Sequence, residues 1–312
     1  MIKVAVIGCG SRGRSEMKEL SSFEDVELVA ACDPMAEALS QAADEFAIPG
    51  RFDSIERMLD AGGIDAAFVT TPAHLNAPSA LPCLEAGVDT LLEKPPGLHV
   101  EETVELAETA KRSGARGMVG WQRRFNPFVI EARRLVEERG PVMQLVGEFH
   151  KNIHTFVSGS RFPEIIKQRV LFESPIHSID LVRALAGSEV AEVHSVVGKR
   201  VTEYNDLHAA LVTFESGCVA QISANLTGSA RLERYEIHGH GISAYLEGVN
   251  TGKVITTEET VVLDGDSAQA TRLKDQFFLD CIRDNRPVDL PAADLDEAVK
   301  TMKLGEAIYS GA

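Results

Sequence analysis

Three glycines near the start of the chain have the spacing of a loop that binds phosphate. Gly8, Gly10 and Gly13 form the pattern G-x-G-x-x-G, with Ser11 and Arg12 inside it. Glycine allows a tight turn and a close approach of the backbone to a ligand. The free amides at the start of a following helix then attract a pyrophosphate. The same glycines could also form an ordinary glycine-rich turn, so the neighbouring elements decide between the two.

The elements on either side of this loop have the required order. An apolar run rich in β-branched residues, 2–7, predicts a buried parallel strand before the loop. The polar stretch 14–20 is compatible with a helix after it. Strand, glycine loop and helix in this order favour a dinucleotide site over a simple turn.

An acidic residue at the end of the next predicted strand, 23–34, indicates which dinucleotide binds. Asp33 lies about 20 residues past Gly13, where such sites place an acid for the ribose hydroxyls. A carboxylate there accepts hydrogen bonds from the 2′- and 3′-hydroxyls and repels a 2′-phosphate. We therefore expect NAD as the cofactor, with NADP less favoured. The alternative is that Asp33 only starts an Asp-Pro turn.

Polar residues follow a third predicted strand. Thr70, Thr71 and Pro72 stand at its carboxyl end, and His74 and Asn76 follow in the loop. Ligands bind at the carboxyl ends of the strands in open α/β sheets. These five residues are therefore candidate cofactor contacts.

A lysine follows the next predicted strand, which starts at residue 88. Glu93 and Lys94 stand at its carboxyl end, before two prolines. In that place Lys94 faces the ligand crevice from a rigid backbone, which makes it a candidate catalytic residue. The alternative is a solvated surface lysine, which is the ordinary state of this residue type.

The composition limits the classes of partner. The net charge of −16 argues against nucleic acid, which needs a basic patch, and against anionic membrane surfaces. The five cysteines contain no C-x-x-C pair, which favours a reducing compartment over disulfides or a zinc site. We find neither a leader sequence nor an apolar run long enough to span a membrane, so we expect a cytoplasmic protein.

The pattern of predicted elements changes along the chain. Up to residue 120, strands and helices alternate, as in a doubly wound parallel sheet. From residue 142 onward, several predicted strands alternate apolar and polar residues, which is typical of half-buried antiparallel strands. We therefore expect an α/β protein with two domains, 1–120 and 121–312, the second an α+β domain with a largely antiparallel open sheet.

A histidine in the second domain has the properties of a base. Ser174 and Pro175 predict a helix start, with serine as the N-cap and proline in the first position. His177 then falls in the first turn, where the helix dipole favours neutral imidazole. Such an imidazole can take a proton from an alcohol as hydride leaves. The alternative is a structural or solvated histidine.

Four motifs in the first 120 residues, GCGSRG, CDP, VTTPAHLN and EKPPG, resemble in order and spacing those of the Gfo/Idh/MocA family of oxidoreductases. The resemblance implies a Rossmann domain that binds NAD or NADP. It also implies that Lys94 reaches the reacting carbon. The residues that it places at the cofactor are Gly8, Gly10, Ser11, Arg12, Gly13, Asp33, Thr71, Pro72, His74, Glu93 and Lys94.

The second domain extends the resemblance. Residues 121–127 resemble the family's hinge, where Trp121 and Arg124 could stack on or bind a sugar, or alternatively only pack. His150, His154 and Arg161 lie where the family's substrate loops sit, and His154 is a candidate substrate contact. We discount a metal site at His150 and His154, because no carboxylate stands at ligand spacing.

His177 and Asp180 match the family's D-x-x-x-H-x-x-D run, which implies that His177 is the catalytic histidine. Glu173 replaces the usual aspartate and could orient the imidazole or bind a substrate hydroxyl. His177 and Glu173 are therefore both catalytic and substrate candidates. Asp180 is expected to be structural.

The leading hypothesis is an NAD(P)-dependent dehydrogenase that acts on a secondary alcohol of a sugar, sugar derivative or cyclitol. Lys94 and His177 would handle the hydroxyl proton. A homo-oligomer, dimer or tetramer, formed through the second-domain sheet, is implied by the resemblance. Two alternatives stay open: an enzyme that uses NAD transiently to cleave glycosides, and a nucleotide sensor without catalysis.

Overall fold

The computed structural model describes residues 1–158 and 162–311, and Arg161 lies outside the described residues. The chain divides into two compact units. The first contains Met1–Gly120 together with Lys274–Val299, and the second contains Trp121–Leu273 together with the chain from Lys300 onward. The division after Gly120 is where the sequence predicted it. The return of residues 274–299 to the first unit differs from the predicted domain 121–312.

The elements up to Gly120 alternate between strands and helices. In chain order they are β1 (Ile2–Ile7), α1 (Ser11–Leu20), β2 (Val26–Cys32), α2 (Ala36–Glu45), β3 (Gly50–Phe52), α3 (Ile55–Ala61), β4 (Ala66–Val69), α4 (Asn76–Glu85), β5 (Asp89–Leu92), α5 (Val100–Ser113) and β6 (Gly117–Val119).

The middle of the chain begins with helices and continues mainly as strands. In chain order the elements are α6 (Pro127–Glu137), β7 (Gln144–Asn152), α7 (His154–Val157), α8 (Glu164–Gln168), α9 (Val170–Glu173), α10 (Ile176–Ala186), β8 (Val190–Gly198), β9 (Leu207–Phe214), β10 (Val219–Asn225), β11 (Thr227–Gly239), β12 (Ile242–Glu247), β13 (Thr251–Thr256) and β14 (Thr260–Asp264). The tail adds α11 (Ser267–Arg283), β15 (Ala293–Asp294) and α12 (Leu295–Ser310).

The first unit is a doubly wound sheet. Among the described residues its strand order is β15-β6-β5-β4-β1-β2-β3, and β1 to β6 pair in parallel. The strand order reverses between β1 and β4, and ligands bind outside the carboxyl ends of the strands at such a switch point. Strands β4 and β5 are buried along their whole length, as expected for parallel strands covered on both faces.

Residues 274–299 belong to the first unit because they complete its sheet and core. β15 pairs antiparallel with β6, with Ala293 opposite Val119. The ring of Phe278 packs edge-on against Phe68, with 5.8 Å between the ring centroids. Apolar periodicity predicts a helix here but does not indicate which sheet the helix covers. The prediction that this segment belongs to the second domain was therefore wrong.

The second unit contains a mixed sheet, mostly antiparallel. In the described part of the chain its order is β14-β13-β12-β11-β7-β10-β9-β8, and β7 and β10 form a parallel pair. The predicted antiparallel character is confirmed by the remaining pairs. Helices α6 and α10 pack on one face of this sheet, where Phe128 and Val182 approach Gly252 and Gly147.

Across the described ranges, none of the helices combines the length and the apolarity that a membrane crossing requires.

Candidate active site

The glycine loop leads from β1 into α1, and each glycine has a different role. Gly8 has φ +94°, and a Cβ there would lie 3.0 Å from the carbonyl carbon of Thr70. A Cβ on Gly13 would lie 1.8 Å from the carbonyl oxygen of Gly8, so only glycine lets α1 pack so closely. A Cβ on Gly10 would meet no described atom within 4 Å. Gly8 and Gly13 therefore shape the loop, and Gly10 faces open space.

The open side of the loop can accept a phosphate group. Helix α1 begins directly after Gly10, and no described side chain caps that end. Its first amides and its positive dipole end therefore remain available to an anion. A cavity of about 370 Å³ adjoins the loop and is lined by Cys9, Gly10, Ser11, Arg14, Ala38 and Gln41.

Asp33 is held beside this loop by backbone amides. Its Oδ2 accepts a hydrogen bond of 2.7 Å from the amide of Cys9, and its Oδ1 accepts one of 2.8 Å from the amide of Met35. The carboxylate is thus fixed at the end of β2. Each oxygen keeps a further lone pair that can accept a ribose hydroxyl.

The two threonines after β4 use their hydroxyl groups for hydrogen bonds within the protein. The hydroxyl of Thr70 is buried and donates to the carbonyls of Ile7 at 3.0 Å and Gly8 at 2.9 Å. The hydroxyl of Thr71 donates to Oδ1 of Asn76 at 2.9 Å. The side chain of Thr70, predicted as a cofactor contact, is therefore used within the protein. Pro72 is exposed and precedes a short 3-10 helix that contains the half-buried His74.

Asn76, predicted as a cofactor contact, lies away from the surface. It is fully buried, and its amide donates to the carbonyls of Glu93 at 3.0 Å and Pro95 at 2.8 Å. With the hydroxyl of Thr71 on its oxygen, the side chain is engaged on both ends by the protein. Burial therefore removes Asn76 from the set of direct cofactor contacts.

Lys94 leaves the carboxyl end of β5 between these two carbonyls. Its own amide donates to Oε2 of Glu93 at 3.2 Å, and its peptide bond to Pro95 is cis. The side chain is half-buried. Lys94 thus stands at the carboxyl end of a parallel strand, where the sequence predicted it, one strand away from the switch point between β1 and β4.

Arg12 joins the glycine loop to Glu93. Its Nε donates to Oε1 of Glu93 at 2.5 Å, and a guanidinium nitrogen lies 2.9 Å from Oε2 of Glu16. Burial opposes the charge, but the two carboxylates outweigh it and raise the pKa of Arg12. The structure therefore places Arg12 between two protein carboxylates.

A buried cluster of charges continues from Glu16. The ammonium group of Lys274 lies 2.9 Å from Glu16 and 2.8 Å from Asp275, and all three side chains are at most 1% exposed. Burial raises the pKa of Glu16, but Lys274 and Arg12 dominate and bring it down to about 2. Burial and the neighbouring Glu16 raise the pKa of Asp275 well above its usual range. No local sequence pattern indicates this cluster, because Glu16 and Lys274 lie 258 residues apart along the chain.

In the second unit, His177 lies in the first turn of α10, as predicted. It is 5% exposed. The helix begins at Ile176, one residue later than predicted, because Ser174 adopts a helical backbone conformation and does not cap it. The hydroxyl of Ser174 instead donates to the carboxylate of Glu173, the half-buried last residue of α9.

The predicted substrate contact at Arg124 is wrong, because its guanidinium is buried in an ion pair. Nε and a terminal nitrogen of Arg124 donate to the two carboxylate oxygens of Asp180 at 2.9 and 2.6 Å, and both side chains are 1% exposed. Thr301 donates to the same carboxylate at 3.0 Å. The ion pair fixes α10 three residues beyond His177, in agreement with the structural role predicted for Asp180.

Trp121 also has no surface for a substrate, contrary to the prediction. It is 0% exposed, and the guanidinium carbon of Arg124 lies 5.6 Å from its ring centroid. His154, by contrast, is exposed at the start of α7. Its role as a substrate contact stays a prediction. Among the described residues, no group of three or more histidine, cysteine or acidic side chains is placed to hold a metal ion.

Comparison with known proteins gives two family matches. A family model described as an oxidoreductase family with an NAD-binding Rossmann fold matches residues 2–121. A model of the GFO/IDH/MocA C-terminal domain matches residues 129–244.

Two relatives with named activities are similar in sequence. The scyllo-inositol 2-dehydrogenase (NAD(+)) of Bacillus subtilis is 26% identical over 314 residues, which cover 91% of this chain and 87% of that protein. The inositol 2-dehydrogenase of Corynebacterium glutamicum is 28% identical over 196 residues, which cover 62% of this chain and 56% of that protein.

Solved structures share the fold over nearly the whole chain. UDP-N-acetylglucosamine 3-dehydrogenase from Acidithiobacillus ferrooxidans has a TM-score of 0.85 at 24% identity and covers 99% of this chain and 97% of its own. Levoglucosan dehydrogenase, in complex with NADH and levoglucosan, has a TM-score of 0.86 at 19% identity and covers 99% and 96%.

Proposed function

Because the chain belongs to the Gfo/Idh/MocA family of oxidoreductases, we propose that it is an NAD-dependent dehydrogenase acting on a secondary alcohol of a sugar, sugar derivative or cyclitol. The observation that carries this proposal lies in the first unit. Gly10 faces open space beside the fixed carboxylate of Asp33, and Lys94 stands at the carboxyl end of β5 in the same sheet. Bound NAD would supply the hydride acceptor.

The residues of the loop fit this cofactor. The open amides at the start of α1 would hold the pyrophosphate, and the cavity beside Gly10 and Gln41 has room for the ribose. Asp33 would accept the ribose hydroxyls and repel a 2′-phosphate. Cofactor contacts at Ser11, Thr71, Pro72 and His74 remain part of the proposal.

Three side chains would carry the chemistry. Lys94, as an ammonium ion, would stabilise negative charge on the alcohol oxygen. His177, in the first turn of α10, would take the hydroxyl proton as a neutral imidazole. Glu173 would orient either the imidazole or a substrate hydroxyl.

A cyclitol is the substrate class to test first. The relatives with named activities include two inositol dehydrogenases, and inositols carry only secondary hydroxyls. A ring of vicinal hydroxyl groups also suits the combination of an ammonium donor and carboxylate acceptors.

The test is an assay for reduced cofactor. Purified protein with NAD and a panel of inositols and sugars should form NADH with at least one of them. Lys94→Met should lower kcat by about 100-fold or more, in line with the loss of one electrostatic stabiliser of the transition state. Lys111→Met, which removes an exposed lysine paired with Asp296, is the matched control and should keep full activity. Lack of NADH formation across the panel would contradict the proposal.

We also propose that copies of the chain associate through the open face of the second-unit sheet. Apolar side chains on its outward-facing positions are exposed, namely Val196 at 63%, Leu211 at 44% and Val262 at 68%. Burial of such side chains against a second copy would remove apolar surface from water. A dimer or tetramer by light scattering, reduced by Leu211→Lys, would support this assembly.

A cytoplasmic location is also part of the proposal. The five cysteines are all buried and free, which suits a reducing compartment. Fractionation of cells that express the protein would test this location.

A further inference from the structure

Asn76 holds the backbone on both sides of Lys94. Its single amide nitrogen donates to the carbonyl of the residue before Lys94, Glu93, at 3.0 Å, and to that of the residue after it, Pro95, at 2.8 Å. An asparagine amide has two hydrogens, and both are used here. The two bonds therefore hold the peptide group that precedes Lys94 and the one between Pro95 and Pro96.

The orientation of this amide is itself fixed. The hydroxyl of Thr71 donates to Oδ1 of Asn76 at 2.9 Å, and an exchange of the oxygen and nitrogen ends would lose both hydrogen bonds to the backbone carbonyls. Asn76 is 0% exposed, so water does not replace these contacts. Buried polar groups of this kind are costly when their partners are removed.

The side chain of Glu93 also makes hydrogen bonds to the backbone at Lys94 and to the glycine loop. Its Oε2 accepts the amide of Lys94 at 3.2 Å, and its Oε1 accepts Nε of Arg12 in the glycine loop. The amide of Lys94 and the two flanking carbonyls are therefore all bonded to side chains. These contacts set the direction in which the lysine side chain leaves the strand.

We infer that Asn76 is a positioning residue for Lys94, acting on the direction of its side chain rather than on the cofactor. This inference rests on the proposed function, in which Lys94 stabilises the alcohol oxygen. A misplacement of a reacting group by about 1 Å can cost roughly 100-fold in rate. A small rotation of the backbone between Glu93 and Pro95 would move the end of the long lysine side chain by such a distance.

The test uses two variants with the size of asparagine. Asn76→Leu removes both donors, and Asn76→Asp keeps an acceptor for Thr71 but lacks the amide donors. Both should lower kcat per folded molecule by about 100-fold. The Kd for NADH, measured from nicotinamide fluorescence, should change by less than about threefold, because the side chain does not face the cofactor. The aspartate variant serves as the measurement if the leucine variant does not fold.

A matched control separates positioning from stability. Asn126 is also a buried asparagine whose amide donates to a backbone carbonyl, that of Val249, at 2.8 Å. Asn126→Leu should lower the melting temperature and leave kcat per folded molecule unchanged. A folded Asn76 variant with wild-type kcat, or one with weakened NADH binding and unchanged kcat, would overturn the inference.

A combined variant separates this inference from the proposed function. Asn76→Leu together with Lys94→Met should have the same residual kcat as Lys94→Met alone, because there is no lysine left to position. A further large loss in the combined variant would show that Asn76 acts independently of Lys94. If Lys94→Met alone kept full kcat, the proposed role of Lys94 would be wrong. The inference about Asn76 would then be wrong as well, because it depends on that role.

Discussion

In the proposed function Asp33 selects the cofactor, and two backbone amides hold its carboxylate in place. Replacement by asparagine would remove the charge and turn one oxygen into a donor that cannot accept the amide of Cys9 or Met35. A hydrogen bond to a charged group contributes about 1.5–3 kcal/mol. We therefore expect Asp33→Asn to lower kcat/KM for NAD by roughly 10- to 100-fold.

The same change should narrow the preference for NAD over NADP, because the negative charge that repels a 2′-phosphate is lost. Steady-state kinetics with both cofactors measure the ratio. Asp53→Asn, which alters an exposed carboxylate paired with Arg57, is the control and should leave the ratio unchanged. An unchanged ratio in Asp33→Asn would contradict the assignment.

At the scale of elements, the close packing of α1 on β1 depends on one glycine. A methyl group on Gly13 would lie 1.8 Å from the carbonyl of Gly8, so Gly13→Ala must push the helix away from the strand. Overpacking of this kind costs about 1–3 kcal/mol or more. We expect a lower midpoint of urea unfolding together with weaker NADH binding.

Gly10→Ala is the matched comparison in the same turn, because its methyl group would meet no described atom. It should keep the stability of the wild type and still weaken NADH binding, since the methyl group occupies the space in front of the amides. Equal losses of stability in the two variants would argue against this difference between the glycines.

We expect a buried histidine between β9 and α12 to make the second unit sensitive to acid. His208 is 1% exposed and stacks on Tyr309 with 6.0 Å between ring centroids. Burial lowers the pKa of His208 to about 4, an effect that Asp206 only partly opposes. The unfolded chain then takes up a proton near pH 6.5 that the folded chain does not. The contribution of His208 to stability is therefore expected to be full above pH 6.5 and to fall as the pH drops from 6.5 towards 4, by roughly 3 kcal/mol in total.

His208→Phe keeps a ring beside Tyr309 and removes the titration. Its free energy of unfolding should vary less with pH between 6.5 and 4 than that of the wild type. Urea titrations at several pH values measure this slope. His194→Gln, a change at an exposed histidine on β8, should keep the wild-type slope. A wild-type slope in His208→Phe would refute the assignment.

At the scale of the whole molecule, Lys274 joins the tail of the chain to the helix that follows the glycine loop. Lys274→Met would leave the buried carboxylate of Glu16 with one cation fewer, and removal of one partner of a buried ion pair costs about 3–5 kcal/mol. We expect a large loss of unfolding free energy, and weaker NADH binding through Arg12. Lys300→Met breaks a pair with Glu189 that is exposed, and it should cost at most about 1 kcal/mol.

The sequence was sufficient for features that depend on short spacings. The glycine loop, Asp33 and Lys94 each directly follow a predicted strand of the first unit. Local patterns were therefore enough to predict their positions. Strands β13 and β14 at the edge of the sheet were not predicted, because both are short and polar residues stand at most of their exposed positions, Thr251 and Lys253 in β13 and Thr260 and Asp264 in β14.

Other features depend on contacts that are distant along the chain. The return of residues 274–299 to the first unit, and the cluster of Glu16 with Lys274, join parts of the chain that no local pattern connects. Arg124 looks the same in sequence whether it is solvated or, as here, buried against Asp180. Burial of a charge depends on its partner, and the partner is known only from the fold.

The path of the tail has a consequence for protein engineering. The nucleotide-binding unit is built from two separate stretches, and the chain enters it a second time within α11 and leaves it within α12. A chimera that exchanges this unit at a single splice site after Gly120 would inherit a sheet without its matching edge strand and a Glu16 without its lysine. Transplanting it requires both stretches, with junctions placed inside two helices.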